Sequence, residues 1–466
     1  MPVASDQAPS SAARVAHPQR RLALAVLIAA ALLTLIVALQ ARQRMIQKQR
    51  THSTADINDF DRWMRMVPKF IYHHASYIDD SFPTPPVTLM VFAPLTRLSV
   101  PNAQFVWVVC KLAFCLIIFF TLRHAVERTG VPLKPLAWLL ILAVWLWPVL
   151  GDMQEGQTNL LMLTPLALGL TLAQVDHRPA QWLAGLLIAM AICIKVTPVI
   201  FLLYFLWKRR WGIVTGIVAG MGIWLLAVPA LAFGWRQNLR WLEQWTQIMI
   251  LPYVMQGRVQ YFVGQSVPSF LSRLLRHVPA FYYHIRGGRQ AQYVNLLRLP
   301  APVSDWIIRT ILTAVGVSGL WWARRRLPTL RRRRYWLETG AVAIFELWAS
   351  PRTWVPHYVT LVIPLFAVAM VLSDPRQTLR MRTWAIGALG AAAMLMFLTT
   401  DVGKVFGPYG HDWLLTFGVS LWASVLLVAV IFAAAITRHK PIGAGPGAAG
   451  AQPHPSQTAP VRKRVD

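Results

Sequence analysis

Long apolar runs recur along almost the whole chain, from Leu22 to the mid-430s, and short polar connections separate them. About 20 apolar residues in an α-helix are enough to cross the roughly 30 Å of hydrocarbon in a bilayer. Strands of a membrane barrel would alternate apolar and polar residues, and these runs do not alternate. Charged residues make up only 14% of the chain, too few to cover a soluble protein of this size. The sequence therefore predicts an all-α, polytopic transmembrane protein.

The first apolar run, at residues 22–40, follows Arg20 and Arg21. It is too long for the core of a signal peptide, so we expect it to be retained as the first helix. Further spans are predicted at residues 102–122, 134–150, 158–174, 211–233, 304–322, 336–349, 355–373, 383–400 and 413–437.

Most of the basic residues of this chain, whose net charge is +28, lie in short loops beside these spans. The basic loops are residues 123–134, 208–210, 324–334 and 376–382 and the tail from Arg438. Lys and Arg in short loops mark the cytoplasmic side of a membrane protein. Because they flank helix ends, we expect their partner to be the lipid bilayer and not nucleic acid.

Residues 180–207 form an apolar run with basic residues at both ends, which places both ends on the cytoplasmic side. The run must therefore enter and return, and the expected bend is the sequence KVTP at residues 195–198, where Pro198 breaks a helix. Each arm is short for a full crossing, so we predict a broken or re-entrant hairpin. The total becomes about 12 crossings, with both termini in the cytoplasm.

The predicted organisation is a disordered cytoplasmic leader at residues 1–19, a transmembrane domain at residues 20–437 and a disordered basic cytoplasmic tail at residues 438–466. The two long outward loops are residues 43–101 and 234–303. Basic residues at 42–50 open the first of these loops against the rule, although long loops follow it poorly. Polar residues that do not flank lipid fall mostly on this outward side.

The first outward loop contains the sequence DINDFDRW at residues 56–63. A carboxylate beyond the outer end of a first helix could accept a proton from an attacking hydroxyl, which makes Asp59 a candidate base. Asp56 and Asp61 are the alternatives. An acid in the first turn of an interfacial helix beginning near Asp59 would be the ordinary structural explanation.

Two further segments carry polar groups that could contact a substrate. In the sequence EGQTN at residues 155–159, the amides of Gln157 and Asn159 could hydrogen-bond a polyol, although a capped helix start explains the segment equally well. Lys195 lies at the predicted bend inside an apolar run, where a charge is costly unless it is functional or reaches a helix end. A lysine ammonium suits a phosphate.

The sequence ELWASPRTWVPHY at residues 346–358 places Arg352 and His357 on the same predicted side. Arg352 could bind a phosphate bidentately, and His357 could donate to an anionic oxygen. The aromatic residues Trp354 and Tyr358 are equally expected as part of an interfacial belt.

These segments resemble glycosyltransferase family 87 of the GT-C superfamily, whose members include polyprenyl-phosphate-mannose-dependent mannosyltransferases. DFDRW at residues 59–63 resembles the family pattern D-L/F-x-x-Y, and TPP at 84–86 resembles Y-P-P. GQTNLL at 156–161 resembles G-Q-x-N-L-L, and the segment from Ala184 to KVTP resembles A-G…K-x-T-P. The segments GQS at 264–266 and Ser350-Pro351…His357 are similar to the later N-Q-S and S-P…H elements.

The resemblance covers about residues 20–375 and departs from the family pattern at three positions. Trp63 and Thr84 stand where the family has Tyr, and Gly264 stands where Asn is common. We expect these positions to line the mouth of the substrate site, so the departures bear on the sugar and the acceptor more than on the reaction.

The resemblance implies a hexosyltransferase that moves a sugar, with mannose as the first expectation, from a polyprenyl-phosphate donor to a hydroxyl of a glycolipid or glycan. It implies inverting single displacement with Asp59 as catalytic base and Lys195, His357 and Arg352 as ligands of the donor phosphate. Gln157, Asn159, Gln265 and Asp61 are the candidates for binding substrate. A transporter or flippase of lipid-linked sugars and a non-catalytic scaffold are the alternatives.

The predicted location is the plasma (inner) membrane, with the site on the non-cytoplasmic side. No cofactor is implied, and a divalent cation held by Asp56, Asp59 and Asp61 is left open.

Overall fold

The structure is a computed structural model, and it describes residues 11–51, 58–80, 82–255, 263–285, 288–400 and 405–436. The helices are α1 (Ser11–Arg50), α2 (Asp59–His73), α3 (Tyr77–Asp80), α4 (Val87–Phe92), α5 (Val100–Glu127), α6 (Pro135–Glu155), α7 (Asn159–Leu172), α8 (Arg178–Ile194), α9 (Val199–Trp207), α10 (Trp211–Gly222), α11 (Val228–Phe233), α12 (Trp235–Trp245), α13 (Val267–Leu275), α14 (Ala301–Trp322), α15 (Arg333–Ala349), α16 (Val362–Ser373), α17 (Leu379–Phe397), α18 (Gly407–Thr416) and α19 (Val419–Ile436). Segments Ala93–Arg97 and Val355–Leu361 are 3₁₀-helical, and Ile223–Ala227 and Thr246–Met255 are π-helical.

Six helical segments in the described ranges are long and apolar enough to cross a membrane. They are Val100–Glu127, Pro135–Glu155, Trp211–Phe233, Ala301–Trp322, Val355–Ser373 and Val419–Ile436. In the most apolar 18-residue stretch of Val355–Ser373, 89% is buried inside the protein, against 11% in that of Ala301–Trp322. The former segment therefore lies at the centre of the bundle and the latter at its edge. The predicted all-α, multi-pass architecture is confirmed.

The chain reverses direction at the predicted bend. Helix α8 ends at Ile194, residues 195–198 are not helical, and α9 begins at Val199. A Cβ on Gly216 would come within 2.5 Å of the Trp182 carbonyl oxygen, and one on Gly220 within 2.6 Å of Ala189 Cβ. Later residues of α10 thus contact later residues of α8, so the two helices run parallel. The segment between them must therefore turn back. This direction change agrees with the predicted hairpin.

The structure describes helices and strands within both predicted outward loops. Helix α2 begins at Asp59, with the backbone N–H of Asp61 donating to the Asn58 side chain at 2.9 Å. Inside the second loop, β1 (Phe281–Ile285) and β2 (Gly288–Gln292) pair antiparallel, with Phe281 opposite Gln292. The sequence did not lead us to expect this hairpin.

Two predicted spans, the first and the last, differ in extent from the helices of the structure. Helix α1 begins at Ser11, inside the predicted leader, while residues 1–10 and the tail from 438 lie outside the described residues. The predicted span at 413–437 is divided into α18 and α19, because Gly418 adopts a φ of +72° and ends the first helix.

Candidate active site

A cavity of about 680 Å³ lies between the start of α2, the break after α8 and the loop after α15. The structure brings five of the predicted site residues to its wall: Asp59, Gln157, Lys195, Arg352 and His357. They come from segments up to 298 residues apart in the chain, and the fold alone unites them. Apolar side chains also line the cavity, among them Ile200, Leu203, Ile250, Val254, Ile308 and Leu312.

Asp59 is the first residue of α2, where the positive end of the helix dipole favours a carboxylate. Its Oδ1 lies 2.7 Å from Arg62 Nη2, one helical turn further on, and its Oδ2 accepts a hydrogen bond from Gln157 Nε2. The side chain remains 24% exposed. Both carboxylate oxygens are thus oriented, and the group is still accessible from the cavity.

Gln157 reaches Asp59 because the chain turns sharply at the end of α6. Gly156 adopts a φ of +70°, a left-handed conformation that favours glycine, and its N–H donates to the Asp152 carbonyl. The backbone N–H of Gln157 donates to the same carbonyl at 3.1 Å. The EGQTN segment therefore contains the C-cap of α6, and this turn directs the Gln157 side chain toward Asp59.

Lys195 is held by a chain of buried polar groups. Its Nζ donates to Oδ1 of Asn159, whose Nδ2 donates to Asp152 Oδ2 at 2.9 Å. Asp152 Oδ1 lies 2.8 Å from Lys111 Nζ, and neither of these two side chains is exposed. Burial lowers the pKa of Lys195, which lies between two helices, to about 8. Asn159 therefore connects the cavity to a fully buried ion pair behind it.

His357 lies beside Lys195 on the cavity wall. The two side chains approach to 3.1 Å, between Lys195 Nζ and His357 Nε2. The other ring nitrogen, Nδ1, accepts from the backbone N–H of Trp354 at 3.5 Å, at the start of the 3₁₀-helix Val355–Leu361. The backbone contact fixes the ring orientation, so Nε2 points toward the ammonium and the cavity.

Arg352 occupies the loop after α15, and its partners carry no charge. Its Nη1 lies 2.8 Å from Met249 Sδ, and its guanidinium carbon lies 4.3 Å from the centre of the Tyr253 ring. Among the described residues, no carboxylate lies within ion-pair distance of Arg352 or Lys195. Burial lowers the pKa of Arg352, and Tyr253 and Asp59 oppose that effect. An arginine stays protonated in proteins, so the cavity holds a cation with no acidic partner.

Three predicted site residues do not line this cavity. Asn159 faces a smaller recess behind it, which His357 also lines. Asp61 is 3% exposed and pairs with Lys48 of α1. Gln265 is fully buried, and its Nε2 donates to the Leu415 carbonyl at 2.8 Å. The partners of Asp61 and Gln265 give them structural roles in this conformation.

Asp56 and the weak cation site that would include it lie outside the described residues. Within the described ranges, no three His, Cys, Asp or Glu side chains are grouped to hold a metal. Of the three departures from the family pattern, Trp63 and Thr84 line the cavity and Gly264 does not.

Sequence reasoning missed Lys111 and Asp152, and it assigned no role to Glu346, which lines the cavity. The signal was present in each case, because all three are charged residues inside apolar helices, where a charge is costly unless it is paired. The same signal drew attention to Lys195.

A comparison with protein-family models finds glycosyltransferase family 87 over residues 82–351, more than half of the chain. The chain belongs to glycosyltransferase family 87. The match includes the GQTNLL and KVTP segments, whereas Asp59, Arg352 and His357 lie outside it. Membership of a family of transferases favours catalysis over the transporter and scaffold alternatives.

Curated relatives of this family 87 chain support the assignment. A polyprenol-phosphate-mannose-dependent alpha-(1-2)-phosphatidylinositol mannoside mannosyltransferase of Mycolicibacterium smegmatis is 27% identical over 349 residues, 71% of this chain and 70% of the relative. The protein of the same description from Mycobacterium tuberculosis is 25% identical over the same shares. A polyprenol-phosphate-mannose-dependent alpha-(1-2)-phosphatidylinositol pentamannoside mannosyltransferase of M. smegmatis is 24% identical over 71% of this chain and 72% of the relative.

Proposed function

We propose that this chain transfers mannose from a polyprenyl-phosphate donor to a hydroxyl of a glycolipid or glycan, at the non-cytoplasmic face of the plasma (inner) membrane. Membership of glycosyltransferase family 87 and the polyprenol-phosphate-mannose dependence in the relatives' names support the reaction. The relatives named here act on phosphatidylinositol mannosides, so a glycolipid is the first acceptor to test.

The observation that carries the proposal is that one cavity is lined by a carboxylate, Asp59, and by two cations, Lys195 and Arg352, that have no acidic partner among the described residues. In single displacement, the acceptor oxygen bonds to the anomeric carbon as the bond from that carbon to the phosphate oxygen breaks. Asp59 takes the hydroxyl proton. The phosphate leaves as a monoester with additional negative charge, which Lys195, Arg352 and His357 stabilise.

The apolar residues that line the cavity support a lipid-linked donor. Leu203 of α9 and Ile308 and Leu312 of α14 line it, and α14 is the candidate span least covered by protein. A polyprenyl chain could therefore leave the cavity toward lipid while its phosphate stays beside Lys195. The proposed topology has about 12 crossings with both termini in the cytoplasm, in accordance with the positions of the basic loops.

The decisive experiment measures sugar transfer by the purified, lipid-reconstituted protein from labelled polyprenyl-phosphate mannose to phosphatidylinositol mannosides. Asp59→Asn should reduce the rate by about 10² to 10⁴, because the base is lost, while donor binding persists. The matched control is Asp61→Asn, which changes a carboxylate two residues away that pairs with Lys48 outside the cavity. This control should retain transfer.

Full transfer by Asp59→Asn would refute the assignment of the base. A different result would replace the proposed reaction with transport. The unmodified protein would then transfer no sugar from any polyprenyl-phosphate donor, but would move that lipid across the vesicle membrane.

A further inference from the structure

Glu346 is a buried carboxyl with a hydrogen-bond donor from the described residues at only one of its two oxygens. The residue is 4% exposed, and its Oε1 accepts a hydrogen bond from the Thr197 hydroxyl at 2.7 Å. Its Oε2 is shielded from solvent, and no described residue donates to it. A buried polar atom in this condition costs free energy unless another group supplies the missing hydrogen bond.

The free oxygen belongs to the same region as the proposed phosphate ligands. Glu346 lines the cavity together with Lys195 and His357, and it shares the smaller recess with Thr197, His357 and Asn159. Thr197, which holds Oε1, lies two residues after Lys195 in the break of the hairpin. A donor phosphate bound at Lys195 would therefore place its attached sugar near Glu346.

A second glutamate in the same helix shows what a structural carboxyl looks like in this fold. Glu338, eight residues earlier in α15, is also buried. Its Oε2 lies 2.7 Å from Lys208 Nζ and accepts from the Tyr204 hydroxyl at 2.9 Å, and its Oε1 accepts from Arg334 at 2.9 Å. Both of its oxygens are used within the protein, in contrast to those of Glu346.

We propose that, when the donor binds, the Glu346 side chain rotates about its contact with Thr197 and brings the shielded Oε2 to the cavity, where it accepts a hydrogen bond from a hydroxyl of the sugar being transferred. A carboxyl oxygen without a partner accepts a hydrogen bond from a hydroxyl, and a phosphodiester has no such donor, so the sugar ring is the part of the donor that fits it. A site built to hydrogen-bond one hydroxyl rejects an analogue that lacks it, which makes Glu346 a determinant of sugar specificity. This inference rests on the proposed function.

The test compares kcat/KM for polyprenyl-phosphate mannose with kcat/KM for the 2-, 3-, 4- and 6-deoxymannosyl donors. The unmodified protein should lose about 10- to 100-fold on the deoxy donor that lacks the contacted hydroxyl. Glu346→Ala should lose a similar factor on the complete donor and no further activity on that deoxy donor. Glu346→Met, which keeps most of the side-chain volume and has no carbonyl oxygen to accept from a hydroxyl, provides the same comparison if the alanine variant does not fold.

Two controls separate sugar recognition from structural damage. Thr197→Ser keeps the hydroxyl and should retain selectivity, whereas Thr197→Val should weaken it. Glu338→Gln should reduce thermal stability without changing the ratio between complete and deoxy donors.

An equal loss by the Glu346 variants on every donor would overturn this inference and leave the proposed function intact. If the unmodified protein transfers no sugar from polyprenyl-phosphate mannose, the proposed function fails first and the inference falls with it.

Discussion

Gly156 packs against Phe60 with no space for a side chain, since a Cβ on Gly156 would lie 2.3 Å from the Cβ of Phe60. This contact joins the end of α6 to the start of α2. Asp59 directly precedes Phe60, and Gln157 directly follows Gly156, so the close approach sets the hydrogen bond between the proposed base and its amide partner.

Gly156→Ala is expected to reduce transfer by about 10²-fold, because displacement of a catalytic group by roughly 1 Å can have that effect. The matched control is Gly130→Ala, at a glycine with a similar φ of +81° and nothing within 4 Å of the added Cβ. Both variants introduce backbone strain, but only the first should separate Asp59 from Gln157. Equal activity of the two variants in a transfer assay would contradict this reading.

The pKa of Lys195 predicts an alkaline limit to catalysis. Burial lowers this pKa to about 8, so the ammonium loses its proton as the pH rises through that value. The neutral amine no longer attracts the donor phosphate, and kcat/KM for the donor should therefore fall above about pH 8. In Lys195→Arg the side chain stays charged, and the alkaline fall should disappear even if the maximal rate is lower. A fall that persists unchanged in Lys195→Arg would assign the titration to another group.

Arg352→Gln is expected to lower kcat/KM for the donor by about 10- to 100-fold, because a charge-assisted contact to phosphate is lost. Arg309→Gln is the matched control. Arg309 also lines the cavity, but it is exposed and donates to the Met255 carbonyl at 2.7 Å. Titration of each variant with a polyprenyl phosphate would show whether the loss arises in binding. A larger effect at Arg309 would move the phosphate site toward α14.

The buried pair of Lys111 and Asp152 should affect stability and activity separately. Lys111→Met leaves Asp152 without a counter-charge in the interior, which should cost roughly 3–5 kcal/mol of stability. The double variant Lys111→Met with Asp152→Leu removes both charges and should recover much of that stability. The transfer activity of the double variant should nevertheless stay below that of the unmodified protein, because Asn159 loses Asp152, the acceptor that holds it against Lys195. Thermal unfolding and transfer assays on the same preparations distinguish these effects, and recovery of both would exclude the positioning role.

The class of fold and the bend near Lys195 could be predicted from the sequence, since apolar runs of spanning length and a helix-breaking Pro198 depend on local chemistry alone. The flanking charges also indicated the reversal that the parallel packing of α8 and α10 displays. The division of the last span into two helices could not be predicted from the sequence. A glycine permits a left-handed turn but does not require one, and Gly418 is one of many glycines in the chain.

The grouping of Asp59, Lys195 and Arg352 was anticipated by assigning polar residues to one side of the membrane. The predicted side of the membrane could not show which of these polar residues line the cavity and which pack inside the protein next to it. Asp61, two residues from Asp59, points to Lys48 because successive helical positions face different directions. Gln265 reaches Leu415, 150 residues away, and no local pattern encodes that partner.

The partners of Arg352 have a consequence for turnover. A sulfur atom and an aromatic face hold this guanidinium, so its charge is not neutralised when a phosphate arrives. The donor is a phosphodiester with one negative charge, whereas the lipid phosphate left after transfer is a monoester that approaches two. The by-product should therefore bind Arg352 and Lys195 more tightly than the substrate does. We expect product inhibition by the carrier lipid and a rapid first turnover followed by slower cycles, in which departure of the spent lipid determines the rate.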